Sequence, residues 1–210
     1  MFSRFRNGFS IYHDVKVAAF ESENESAEKG GVVFLGDSIT DFCDLERWYP
    51  GLNAYNRGIA GDMTLGVMRR MDSSVFDLEP RIVVMLIGIN DLARHQSVGD
   101  TAANIASIIS EIRSALPETY IIVQSVYPVN SDWGTAYAER VSPLVTELNA
   151  LISAGAEAGG YVYADIYPVL DDGTGRLIRE YSSDGLHPNE AGYAVISRAL
   201  IPYIEAAEAG

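Results

Sequence analysis

Four stretches of the chain are apolar without polar alternation: "GVVFLG" (31–36), "RIVVMLIG" (81–88), "TYIIVQSVYPV" (119–129) and "GYVYADIYPV" (160–169). A strand covered on both faces reads this way, because neither face meets water. "LNAYNRG" (52–58) is a weaker strand candidate. Helical patterns separate the strands. Residues 11–29 mix apolar and charged positions with a run of glutamates, which predicts a surface helix. Residues 64–76 and 101–116 carry apolar residues at three- and four-residue spacing, the second introduced by Asp100 as a cap. An Ala/Leu/Glu-rich segment at 135–158 and a last segment at 189–207 complete the helices. Parallel neighbours need helical crossovers, so this alternation predicts one α/β domain over 1–210 with a mainly parallel, doubly wound sheet of five strands. Its N-terminal segment, 1–29, is expected to pack on that core.

Composition narrows the partners. The 210 residues include 29 acidic against 15 basic, a formal charge of −14, and no Lys/Arg run offsets it. Such a chain repels phosphate backbones and argues against a nucleic-acid partner. Cys43 stands alone, which excludes an internal disulfide and a Cys-based zinc site. The first twenty residues lack the apolar core of a signal peptide, and no stretch reaches the length of a membrane span. The reading is a cytoplasmic protein, although an exported one lacking its leader has the same appearance.

Ligands of doubly wound sheets sit outside the carboxyl ends of the strands. Each predicted strand end here is followed by small polar residues: "GDSIT" at 36–40, "GIAGDMT" at 58–64, "GIND" at 88–91, "PVNSDWG" at 128–134 and "SSDGLHPNEAGY" at 182–193. Five polar clusters on one rim suggest a site. Of the three histidines, His13 reads as a surface residue of the first helix and His95 as a solvated loop residue. His187 differs, because Asp184 precedes it by three residues in "DGLH". A carboxylate so placed fixes the imidazole tautomer and leaves the other ring nitrogen as a base. Ser38, directly after the first strand, supplies a nucleophile that needs such a base. Acyl transfer also needs donors to a developing oxyanion, and the Ser38 N–H, the Gly61 N–H and the Asn90 amide are the candidates.

Together "GDSIT", "GIAGD", "GIND" and "DGLH" resemble the four signature blocks of the SGNH (GDSL-type) hydrolases, in their usual order from residue 31 to about 193. Isoleucine stands where that block has leucine. The resemblance implies a flavodoxin-like three-layer α/β/α fold with strands ordered 2-1-3-4-5. It implies Ser38 as nucleophile, Asp184 and His187 as its partners, and Gly61 and Asn90 as oxyanion donors. The wording around Ser38 and Gly61 is similar to the branch holding platelet-activating-factor acetylhydrolase-like, lysophospholipase-like and carbohydrate-deacetylating esterases. No metal or cofactor is implied. The substrate expected is a small-molecule, carbohydrate or lipid ester.

Each block also has a plainer reading. Ser38 with Asp41 makes a Ser-x-x-Asp helix cap, and Asp184 with His187 makes a turn. Asp37, Asp62 and Asp91 are expected to hold rim loops through backbone hydrogen bonds, and Thr40 and Thr64 to start helices. Asp37, Arg94, Tyr127, Trp133 and Tyr181 are candidates for the substrate cleft, framed by loops 92–100, 128–136 and 168–183. The ordered quartet favours a serine esterase acting on short acyl groups. The rivals are a thioesterase or lysophospholipase for longer chains, a flavin-binding protein, and a non-catalytic carbohydrate-binding descendant.

Overall fold

In a computed structural model, the described residues are 2–134 and 138–209, the side chains of 2–10, 139 and 140 excepted. The helix expected from 135 therefore begins outside them, as does the end of loop 128–136. Helix α1 (Phe2–Asn24) leads into β1 (Val32–Gly36), followed by short α2 (Ser38–Asp41) and α3 (Leu45–Trp48). Strand β2 (Ala54–Gly58) precedes α4 (Thr64–Met68) and α5 (Met71–Ser74); β3 (Ile82–Leu86) precedes α6 (Ile89–Ala93) and α7 (Val98–Ala115). The chain continues through β4 (Tyr120–Gln124), α8 (Ala138–Gly159), β5 (Val162–Ala164), α9 (Tyr167–Leu170) and α10 (Glu190–Glu208).

Among the described residues, five strands form one sheet in the order β2-β1-β3-β4-β5, every pair parallel. This is the three-layer arrangement that the alternation and the resemblance imply. Successive side chains of a strand point to opposite faces, and here each face has its own core. Val33, Leu35, Val83, Met85, Ile121 and Val123 join the cluster containing α7 and α8. Val32, Phe34, Ile82, Val84, Leu86 and Ile122 join the one containing α10. The unbroken apolar runs of β1 and β3 are the consequence.

Several boundaries differ from the sequence reading. The first helix ends at Asn24, short of residue 29, and β5 keeps three residues of the ten expected. Segment 64–76 is not one helix: it breaks at Arg69–Arg70, where Arg70 takes a non-helical backbone (φ −124°, ψ 21°). That break lets the Arg70 side chain turn inward. The cap of α7 is Ser97 and not Asp100; Ser97 Oγ accepts from the Asp100 N–H at 3.0 Å and donates to its carboxylate at 2.7 Å. Likewise Asp37, not Ser38, caps α2, accepting from the Ile39 N–H at 3.0 Å. Thr64 opens α4, whereas Thr40 lies inside α2.

Candidate active site

The sheet order places β1 between β2 and β3, so the strand order reverses direction at β1, and a crevice opens there at the carboxyl ends. Ser38 follows β1 there, Gly61 follows β2, and Asn90 opens the turn after β3. The segment before α10 brings Asp184 and His187 to the same place. His187 Nε2 lies 2.9 Å from Ser38 Oγ, and His187 Nδ1 lies 2.6 Å from Asp184 Oδ2. Residues 149 positions apart in the chain thus form a continuous hydrogen-bonded series.

Local chemistry fixes each member. Asp184 Oδ1 accepts from the backbone N–H groups of Leu186 (2.9 Å) and His187 (2.8 Å), leaving Oδ2 for the ring. Partial burial pushes the Asp184 pKa upward, but the His187 ring and these two N–H groups outweigh it and hold it at about 2. Ser182 Oγ accepts from the Gly185 N–H at 2.9 Å and donates to the His187 carbonyl at 2.8 Å, closing the turn. Gly185 is required twice over. Its φ is +78°, and a Cβ there would lie 2.3 Å from the Asn130 carbonyl oxygen. Gly61 also sits in the left-handed region, at φ +78°. The Asn90 amide nitrogen is buried with no hydrogen-bond partner. A donor in that condition costs stability unless something arrives to accept from it.

Beneath the rim lies a charged brace that the sequence reading missed. Arg70 is buried, with Nε 2.8 Å from Asp62 Oδ2, while its Nη atoms donate to the carbonyls of Gly36 and Arg57 at 2.9 Å and to Ser74 Oγ at 2.8 Å. One side chain thereby ties the ends of β1 and β2 to the loop carrying Gly61. Burial draws its pKa below the ordinary value, against the opposite pull of Asp62. Asp91 accepts from Thr64 through both N–H (3.0 Å) and Oγ1 (2.6 Å), and Asp41 accepts from the Ala60 N–H at 2.9 Å. The rim aspartates therefore hold loops, as their turn chemistry suggested. Asp37 does so through one oxygen only. Its Oδ2 is buried and unpartnered, and burial, then the Asp62 and Asp91 charges, push its pKa to about 7.

The cleft candidates separate. Asp37 is fully buried beside Ser38 and is not a cleft residue. Tyr127, 3% exposed, belongs to the α10-side core with its hydroxyl on Gln124 Oε1 at 2.6 Å; its apolar ring is covered because the chain turns inward after β4. Tyr181 is half-buried against that core as well. Trp133 packs beside Gly185 with the Arg179 guanidinium 4.7 Å from its ring, bracing the Asp184–His187 turn from outside. Arg94 is exposed and lines a cavity of about 490 Å³ that includes Gly61. His95 stays on the exposed loop.

His13 departs from the surface reading. Helix α1 crosses the rim, placing the His13 ring 3.9 Å from Asp62 in that same cavity. Tyr12 and Lys16 bond Asp41 at 2.7 and 2.8 Å. Packing of this segment on the core is expected, but no local pattern in 11–29 marks the rim as the place. Phe42, 54% exposed, flanks the His187 ring at 5.3 Å and was equally unheralded.

The fold is a three-layer α/β/α sandwich that carries a hydrogen-bonded Ser–His–Asp series at the carboxyl ends of its strands. More particularly, the chain belongs to the GDSL-like Lipase/Acylhydrolase family, which it matches over residues 34–195. A solved Streptococcus pneumonia structure named for platelet activating factor superposes with a TM-score of 0.90 at 26% identity, covering 96% of this chain and 97% of that one. The Drosophila melanogaster platelet-activating factor acetylhydrolase IB subunit beta homolog is 32% identical over 102 residues, 46% of this chain and 44% of its own length. Acetylxylan esterase of Geobacillus stearothermophilus is 24% identical over 84% of this chain and 93% of its own. The chain spans less than half the length of the first two curated relatives it matches. Among the described residues, no helix is long and apolar enough to cross a membrane.

Proposed function

We propose that this protein is a serine esterase that removes short acyl groups through an acyl-enzyme. His187 Nε2 accepts the Ser38 proton as Oγ attacks the ester carbonyl. Asp184, ionised at any ordinary pH, holds the imidazole by its Nδ1–H and balances the imidazolium. The oxyanion accepts from the N–H groups of Ser38 and Gly61 and from the Asn90 amide. His187 then protonates the leaving alcohol, takes a proton from water, and the resulting attack on the acyl-enzyme restores Ser38.

The observation that carries this reading is the unbroken series Ser38–His187–Asp184 at 2.9 and 2.6 Å. The buried, unpartnered Asn90 amide supports it independently. A long acyl chain needs an apolar channel; the cavity beside Gly61, which Ser38 and His187 do not line, offers none, with Asp14, Asp62, Arg69 and Arg94 on its walls. The acetylxylan esterase relative supports acetyl transfer to water as well. Ser38→Ala is expected to abolish p-nitrophenyl acetate hydrolysis while circular dichroism stays unchanged; parent-like turnover removes Ser38 from the mechanism. A series of p-nitrophenyl esters of increasing length is expected to show kcat/KM falling beyond acetate and propionate.

A further inference from the structure

Among the described residues, the cavity beside Gly61 is the one place near the rim where positive charge is left unspent. Of the basic side chains described, Lys16, Lys29, Arg47, Arg57, Arg70, Arg81, Arg176 and Arg179 pair with carboxylates. Arg113 and Arg198 donate to backbone carbonyls. Arg69 and Arg94 have no carboxylate within ion-pair distance among the described residues, and both line this cavity. In a chain of net charge −14, two guanidiniums without carboxylate partners on the wall of one cavity are against the trend of the whole molecule.

The opposing charges there are limited. Asp62 is committed to Arg70 Nε at 2.8 Å and to the Met63 N–H at 2.9 Å. Asp14 is exposed and 3.8 Å from His13. On the wall itself Arg69 and Arg94 stand without a carboxylate partner, while Asp62 is paired with Arg70 behind it. Met63 and Leu65 add an apolar flank suited to the carbon skeleton bearing it.

We propose that the Arg69–Arg94 cavity binds a carboxylate carried by the substrate, so that the preferred substrates are esters with an anionic substituent and not neutral acetates. This rests on the esterase reading of Ser38 and deepens it. A guanidinium fork matches a carboxylate in shape and charge, and two such forks beside Gly61 orient the ester as its carbonyl reaches the oxyanion donors.

Two matched ester pairs test the proposal. In 4-acetoxybenzoate and its methyl ester the charge sits on the alcohol; in mono-4-nitrophenyl succinate and its methyl ester it sits on the acyl part. The readout is the charged-to-neutral ratio of kcat/KM, compared between the parent and Arg69→Gln/Arg94→Gln, so that intrinsic ester reactivity cancels. In at least one pair the double substitution is expected to lower that ratio about tenfold, the worth of two exposed ion pairs. A ratio unmoved in both pairs overturns the site. Binding of both pairs to Ser38→Ala, followed by calorimetry with and without the arginine substitutions, reads the same preference without turnover; equal binding of charged and neutral ester within both pairs overturns it too. Turnover surviving in Ser38→Ala defeats the esterase reading instead, and leaves the anion preference separately measurable.

Discussion

At the scale of single residues, the site is a set of polar groups held short of full satisfaction. Asn90 keeps a buried amide without an acceptor, a condition that pays only if a charge appears opposite it during reaction. Asn90→Ala is therefore expected to lower kcat by about 10²–10³ with little change in KM, the usual effect of losing one oxyanion donor; steady-state kinetics on p-nitrophenyl acetate checks it. Asp37 and Asp184 are shifted in opposite directions from an ordinary value of 3.8. Asp184, at about 2 when folded, adds stability that is present above pH 4 and lost as pH falls through 2. Asp37, at about 7 when folded, binds a proton more tightly in the native state, so its contribution is full below 3.8 and is lost as pH rises to 7. Asp37→Asn is expected to flatten the decline in unfolding free energy between pH 4 and 7, measured by urea titration at several pH values. A decline as steep as the parent's excludes Asp37 as its source.

At the scale of elements, the strands supply position and the loops supply chemistry, but the loops need a brace. Arg70 provides it from the break between α4 and α5, bonding Gly36 at the end of β1, Arg57 near the end of β2, and Asp62. Arg70→Met leaves Asp62 buried without its partner, and loss of one member of a buried pair costs about 3–5 kcal/mol. Urea denaturation is expected to show that loss, together with a lower kcat because the Gly61 loop is no longer held to Ser38's strand. The element also shows how much the sequence concealed. In 64–76 the apolar spacing continues across Arg69 and Arg70, so nothing local marks the break. The non-helical turn exists because a guanidinium beneath the rim finds carbonyls on two strands that are remote in the chain.

At the scale of the whole molecule, a net charge of −14 on 210 residues means self-repulsion in the compact state. Most of the described basic side chains are already paired, so added salt screens chiefly the unpaired acidic groups. The melting temperature is expected to rise between about 20 and about 200 mM NaCl, a range over which the Debye length shortens from beyond 20 Å to below 10 Å. A fall in calorimetric Tm means instead that the surface pairs outweigh the repulsion. Helix α1 belongs to this scale too. It is polar enough to stand as a surface helix by its own pattern, yet Tyr12, Lys16 and His13 reach Asp41 and Asp62 across the rim.

The sheet was legible because burial on both faces writes itself locally: Val32–Gly36 and Ile82–Leu86 have no polar face to hide. The quartet around Ser38, Gly61, Asn90 and His187 was legible because turns after strands restrict residue type through backbone conformation and exposed donors. Distance along the chain carries none of the rest. Whether His187 reaches Ser38, whether Tyr127 faces the cleft or the core, and where Arg70 finds its carbonyls depend on how separate crossovers stack. Only the folded chain decides these, since a hydrogen bond forms or fails over less than an ångström and no local pattern resolves that.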